Sequence, residues 1–103
     1  MKLMSIIVPC YNEEKTIHYF YEAMQELTEQ LSEIELEFVF VDDGSKDRTY
    51  ETISELNEKD DRVKCISFSK NFGKEAAIFS GLRSAKGDCC VVMDADLQHP
   101  PSV

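Results

Sequence analysis

The fold class predicted for this chain of 103 residues is α/β, a Rossmann-like parallel sheet with helices on both faces. Three observations lead there. Two hydrophobic periods alternate along the chain, short apolar runs of strand length and longer stretches with apolar residues three and four apart. The segments fall in the order βαβαβαβ, which calls for parallel strands joined by right-handed helical crossovers. Finally, the polar and acidic clusters follow the strands, where open α/β sheets carry their ligands.

Leu3-Met4-Ser5-Ile6-Ile7-Val8 is the first strand, a short apolar run stopped by Pro9. Asn12 with Glu13 and Glu14 supplies a helix cap and first-turn acids. Ile17, Phe20, Met24, Leu27 and Leu31 then mark one face of the first helix. Leu36 to Val41 is the second strand, ending at Asp42-Asp43-Gly44-Ser45. A second helix is expected from about Asp47 to Asn57, with Tyr50, Ile53 and Leu56 inward. Val63 to Phe68 is the third strand. The third helix opens near Gly73 and closes at Gly87, a residue suited to the left-handed position after a helix. Cys89 to Met93 is the fourth strand, read as buried. The expected strand order is 3-2-1-4.

The bulk properties fit one small domain. A chain this long buries roughly 60–65% of its unfolded surface, enough for a core without staples. With 43% hydrophobic and 30% charged residues it reads as globular and soluble. A formal net charge of −9 argues against a nucleic-acid groove or a polybasic membrane patch. A nucleotide stays admissible, because a divalent ion bridges acidic side chains to phosphates. Cys10, Cys65, Cys89 and Cys90 lack metal-site spacing and read as reduced structural thiols of a cytosolic protein. No apolar run reaches membrane-spanning length, and no signal peptide, repeat or linker is visible. Pro100-Pro101-Ser102-Val103 does not read as a natural end, so a fragment of a longer protein is expected.

Three clusters fall on one predicted rim: Pro9-Cys10-Tyr11-Asn12-Glu13, Asp42-Asp43-Gly44-Ser45 and Asp94-Ala95-Asp96. Aspartates are poor strand residues, so a pair one residue apart at a strand's carboxyl end calls for a cation. Oxygen ligands at that spacing suit Mg²⁺ or Mn²⁺ rather than zinc. Each cluster also has a plain reading: a strand stop at Pro9, packing for Tyr11, a cap at Asn12, an acidic turn at Asp42 and Asp43. His18 reads as a surface residue. Lys70-Asn71-Phe72-Gly73-Lys74 forms a polar loop opening a helix, where backbone N–H groups favour anions.

Four blocks carry a resemblance: Ile7-Val8-Pro9-Cys10-Tyr11-Asn12-Glu13-Glu14, Val41-Asp42-Asp43-Gly44-Ser45-Lys46-Asp47, Ser69-Lys70-Asn71-Phe72-Gly73-Lys74-Glu75-Ala76-Ala77 and Met93-Asp94-Ala95-Asp96-Leu97-Gln98-His99-Pro100-Pro101. In that order and spacing the chain resembles the amino-terminal, nucleotide-binding half of a family 2 glycosyltransferase of the GT-A fold. More narrowly it resembles the polyprenyl-phosphate branch, which includes dolichyl-phosphate mannosyltransferases and bacterial undecaprenyl-phosphate glucosyltransferases. The resemblance implies a UDP- or GDP-sugar donor, a Mg²⁺ or Mn²⁺ cofactor and a polyprenyl-phosphate acceptor. It implies that Pro9, Tyr11 and Glu13 line the nucleoside pocket and that Asp43, with Asp42, meets the base. It implies further that Asp94 and Asp96 are the catalytic metal carboxylates with Gln98 a further ligand, and that Lys74 and Arg83 approach the phosphates.

Family members continue into an acceptor-side half and often into membrane-anchoring helices. The resemblance therefore implies a whole protein at the cytoplasmic face of a membrane, in cell-wall or glycan biosynthesis. Residues 1–103 are expected to be its nucleotide-sugar-binding part, inactive alone and prone to self-association through bare sheet edge and apolar surface. The alternatives are a family 2 enzyme with a saccharide acceptor and a non-catalytic nucleotide- or metal-binding module. More distant are an Asp-x-Asp phosphohydrolase, whose motif follows the first strand, and a receiver-like module, whose acids follow strands one and three.

Overall fold

The structure, a computed structural model, describes residues 2–96. Its elements are β1 (Lys2–Cys10), α1 (Ile17–Gln30), β2 (Ile34–Asp42), α2 (Thr49–Lys59), β3 (Val63–Ser67), α3 (Lys74–Ser84) and β4 (Cys89–Val92). The sheet order is β3-β2-β1-β4 with every pairing parallel, the predicted topology.

Alternation along the two central strands sorts the core onto two faces. Ile6, Val8, Phe38 and Phe40 meet Ile17, Phe20 and Met24 of α1 and Ile53 and Leu56 of α2. Phe20 and Phe40 cross edge to face with centroids 5.8 Å apart, an arrangement worth about 0.5–1.5 kcal/mol beyond burial. Ile7, Val39 and Val41 face the other way, against Ala77 of α3. That second face also buries a polar group, Glu37, only 6% exposed. Its carboxylate accepts the Ser5 hydroxyl at 2.6 Å and the Lys86 N–H at 2.9 Å, while Ser5 Oγ accepts the Gly87 N–H at 2.8 Å. Burying a carboxylate is costly without such donors, and these pin the α3–β4 connection to the central strands.

Several expected boundaries move, each for a physical reason. Pro9 does not stop β1: it lies inside the strand, paired with Val41. Carbonyls alternate sides along a strand, and Cys10 C=O bonds Asp43 N–H on the β2 side while Ile7 C=O bonds Met93 N–H on the β4 side. The missing N–H of Pro9 therefore faces β4, whose pairing with β1 ends at Ile7–Val92.

Asn12 is not a helix cap. It takes φ 54°, a left-handed conformation that asparagine tolerates, and α1 begins only at Ile17, so Glu13 and Glu14 lie in a loop ahead of the helix. Helix α2 starts at Thr49, because Asp47 Oδ1 accepts the Thr49 N–H at 2.9 Å. Thr49 is fully buried and Tyr50, expected inward, points to solvent. Helix α3 ends at Ser84, and Gly87 caps nothing. A Cβ at Gly87 would lie 2.5 Å from Ser5 Oγ and 2.7 Å from Ser5 N, so glycine is needed for close approach to β1. Strand β4 is exposed throughout rather than buried, being one of the two edge strands among the described residues and short, at four residues. Cys10 is buried as expected, but Cys89 and Cys90 are exposed on that edge.

Candidate functional site

At the carboxyl ends of β1, β2 and β4 lies an open cleft of about 390 Å³, lined by Pro9, Cys10, Tyr11, Glu13, Asp43, Asn71, Gly73, Lys74, Asp94 and Asp96. Parallel strands point all their carboxyl ends one way, which brings together residues as far apart in sequence as Pro9 and Asp96.

Asp43 is its structural hinge. It is 4% exposed, and its Oδ1 accepts the Phe72 N–H at 2.8 Å. Its Oδ2 accepts the Gly73 N–H at 3.0 Å and the Asn71 side-chain amide at 3.1 Å. The acid just after β2 thus fixes the loop that opens α3. Gly44 makes that contact possible. It sits at φ +70°, and a Cβ there would meet Lys70 C at 2.2 Å and Asn71 N at 2.4 Å. With about four lone-pair sites on a carboxylate, Asp43 keeps capacity for a further donor from the cleft.

Asp42 behaves differently. Its Oδ1 accepts the Ser45 N–H at 3.0 Å, closing the turn after β2, and it does not line the cleft. Asn12 joins the neighbouring loop: its N–H donates to Ser45 Oγ at 2.9 Å and its Oδ1 accepts the Lys46 N–H at 2.8 Å. Glu13 N–H donates to Thr49 Oγ1 at 2.8 Å. Beside them, burial pushes the Cys10 thiol well above its usual range, with Glu13 and Asp42 adding to the rise. Cys10 therefore forms a neutral wall rather than a nucleophile.

Asp94 and Asp96 leave β4 on a turn whose middle residue, Ala95, is 2% exposed and packed in the core. Burying that methyl turns the flanking carboxylates outward to the cleft. Lys74 Nζ stands 2.8 Å from Asp94 Oδ1, and this hydrogen bond, with Asp96 farther off, raises the ammonium's pKa. Four carboxylates (Glu13, Asp43, Asp94, Asp96) and one ammonium line the cleft.

The sequence reading thus brings Pro9, Tyr11, Glu13, Asp43, Lys74, Asp94 and Asp96 to one cleft. Gln98 lies outside the described residues. Arg83 does not approach the site. It sits in the last turn of α3 with its guanidinium over Phe79, nine residues and so about 13 Å along the helix from Lys74. In the sequence Asn71 and Gly73 stand out only as parts of a polar loop. The positive φ of Gly73, 107°, is the kind of special backbone that a glycine between Phe72 and Lys74 announces.

The carboxylate pair suits a hard divalent ion: its donors are oxygens, and a cation, the Lys74 ammonium, already stands on Asp94. Among the described residues no group of three or more His, Cys, Asp or Glu side chains forms a complete cage. Mg²⁺ typically takes one or two carboxylates and fills the rest with phosphate and water.

Comparison with known proteins decides the family. Residues 5–103 match glycosyl transferase family 2. The chain belongs to this family. It is 50% identical over 99 residues to an uncharacterised glycosyltransferase, YkcC, of Bacillus subtilis, covering 96% of this chain and 30% of the relative. It is 46% identical over 100 residues to a prophage bactoprenol glucosyl transferase homologue of Escherichia coli, covering 97% of this chain and 32% of the relative. The chain thus spans about a third of the length of the curated relatives it matches.

Among solved structures, TarS of S. aureus in complex with UDP superposes with TM-score 0.78 and 30% identity, covering 93% of this chain and 28% of that one. The mannosyltransferase PcManGT of Pyrobaculum calidifontis, in complex with GDP-Man and Mn²⁺, gives TM-score 0.77 and 29% identity, covering 92% and 27%. The fold is the nucleotide-binding part of GT-A glycosyltransferases. Family membership sets aside the phosphohydrolase and receiver readings. No helix among the described residues is long and apolar enough to cross a membrane.

Proposed function

We propose that this chain is the donor-binding part of a glycosyltransferase that moves a hexose from a UDP- or GDP-sugar to polyprenyl phosphate, with Mg²⁺ or Mn²⁺. The observation that carries the reading is the charge of the cleft. Four carboxylates against one ammonium repel a free diphosphate, so an anionic donor enters only with a counter-cation. The bactoprenol relative supports the acceptor, and the UDP and GDP-Man complexes support both nucleotides.

In this reading Asp94 and Asp96, with Gln98, hold the ion. When bound, it supplies charge stabilisation for the departing nucleoside diphosphate. Pro9, Tyr11 and Glu13 flank the nucleoside, and Asp43 offers its remaining acceptor capacity to a donor group on the base. Asp42 acts at one remove, shaping the turn that carries Asp43. A phosphate acceptor is anionic near pH 7, so no residue need remove a hydroxyl proton from it. The whole protein works at the cytoplasmic face of a membrane. The present residues alone bind donor without turning it over and self-associate through β4, where Val91 and Val92 are 41% and 42% exposed.

The test is calorimetric titration of the chain with UDP and then GDP, with and without Mn²⁺, and with Asp96→Asn as control. Metal-dependent binding lost in the variant is the expected result. Metal-independent binding, or binding that survives the substitution, overturns the assignment of the ion to Asp96. For the acceptor, a longer form carrying the remaining segments is assayed with labelled donor and undecaprenyl phosphate. Transfer only to a saccharide overturns the lipid-phosphate reading.

A further inference from the structure

We infer that Lys74 is a built-in placeholder for the divalent ion, exchanging Asp94 for a donor phosphate when ion and nucleotide arrive together. The inference rests on the reading of Asp94 and Asp96 as metal carboxylates and adds to it a device that couples the two ligands.

Three features of the structure carry it. First, Lys74 is the only cation lining the cleft among the described residues, and its ammonium is 2.8 Å from Asp94 Oδ1. An ion seated on Asp94 must contend with that positive charge. Second, the pair is easily exchanged, since its side chains are 60% and 46% exposed, a setting in which an ion pair contributes little. Third, the stem of Lys74 is anchored while its head is not. Lys74 is the first residue of α3, and the two preceding residues, Phe72 and Gly73, donate their N–H groups to buried Asp43. An ammonium expelled from Asp94 therefore stays beside the cleft, and a metal-bound diphosphate brings the nearest new anion.

The consequence is a linkage. With the ion alone, Lys74 competes and weakens binding. With ion and diphosphate together, the same ammonium donates to a phosphate oxygen and strengthens it. Coupling between two ligands is reciprocal, so Lys74 makes ion and nucleotide each raise the affinity for the other.

The experiment measures Mn²⁺ binding to the chain by the loss of its free-ion paramagnetic resonance signal, and UDP or GDP binding at saturating Mn²⁺ by calorimetry. Lys74→Met is expected to bind Mn²⁺ alone about two- to fivefold more tightly, as loss of an exposed ion pair implies. It is expected to bind the nucleotide about tenfold or more weakly, as loss of a hydrogen bond to a charged group implies. Lys74→Arg, which keeps the charge, should remain near wild type in both. Affinities that move in the same direction, or an unchanged Mn²⁺ affinity in Lys74→Met, overturn the placeholder while leaving the metal site standing. Mn²⁺ binding by the folded wild type that is insensitive to Asp96→Asn overturns the metal reading itself, and the placeholder with it.

Discussion

Replacing Asp43 by alanine tests whether the acid just after β2 is the fastener of the cleft. The carboxylate accepts three hydrogen bonds, from Phe72 N–H at 2.8 Å, Gly73 N–H at 3.0 Å and the Asn71 amide at 3.1 Å. Hydrogen bonds to a charged group contribute about 1.5–3 kcal/mol each when well shielded. Here the acceptor is buried, but Phe72 is 56% exposed, so water replaces part of what is lost. A total near 2–3 kcal/mol follows, below the sum of three shielded bonds. Asp42→Ala removes one such bond, from Ser45 N–H, and should cost about 1 kcal/mol. Urea unfolding followed by circular dichroism reads both. With a slope near 1–1.5 kcal/mol/M, the Asp43 variant should melt at about 2 M less urea. Asp43→Ala should also loosen Lys74, whose helix start it holds, and so weaken nucleotide binding beyond what one lost contact explains. An Asp43 variant that unfolds within 0.3 M of wild type, or earlier only by as much as Asp42→Ala, would refute the reasoning.

Two further outcomes follow from the ionisable groups. Arg62 hydrogen-bonds Asp60 and holds its carboxyl far below the usual range, assisted by Tyr21. A carboxyl depressed in the folded state contributes stability that is present above its unfolded value, near 3.9. That stability is lost as pH falls below about 4 toward the folded value, so Asp60→Asn should lower Tm at pH 6 and show a shallower loss between pH 4 and pH 2 than wild type. Burial pushes the Cys65 thiol up to about 12 and the Cys10 thiol well above its usual range. A thiol reagent at pH 8 should therefore modify exposed Cys89 and Cys90 in the native protein and reach Cys10 and Cys65 only in urea; four equally fast thiols would contradict the burial.

The topology was legible because alternating periods leave few ways to stack helices on a parallel sheet. The cleft was legible for the same reason: clusters that follow parallel strands share one rim, wherever they lie in sequence. Local conformation was less so. Asn12 read as a cap because its neighbours are acidic, yet its left-handed backbone is set by Ser45 and Lys46, more than thirty residues away. Tyr50 reads as inward because it lies three residues before Ile53, about 60° round the helix, yet Thr49, four residues before Ile53 and about 40° round the other way, takes the buried place. Strand β4 read as buried because apolar composition reports what a strand can bury, not which neighbour lies beside it. The Lys74–Asp94 pair and the grip of Asp43 on Phe72 and Gly73 are contacts between separate loops. No local pattern encodes such contacts.

Pro9 has a consequence for how the molecule keeps its mouth open. Strands that run side by side tend to zip until something stops them, and a zip between β1 and β4 continued past Ile7 would draw their ends together at the cleft. An imino acid at position 9 has no proton to give to β4, so the zip stops one tooth short, just where Asp94 and Asp96 emerge. The end of that zip is thereby set by a covalent ring rather than by side-chain packing. Changing Pro9 to alanine restores the missing tooth, and a narrower mouth, not a weaker fold, is what such a change would bring.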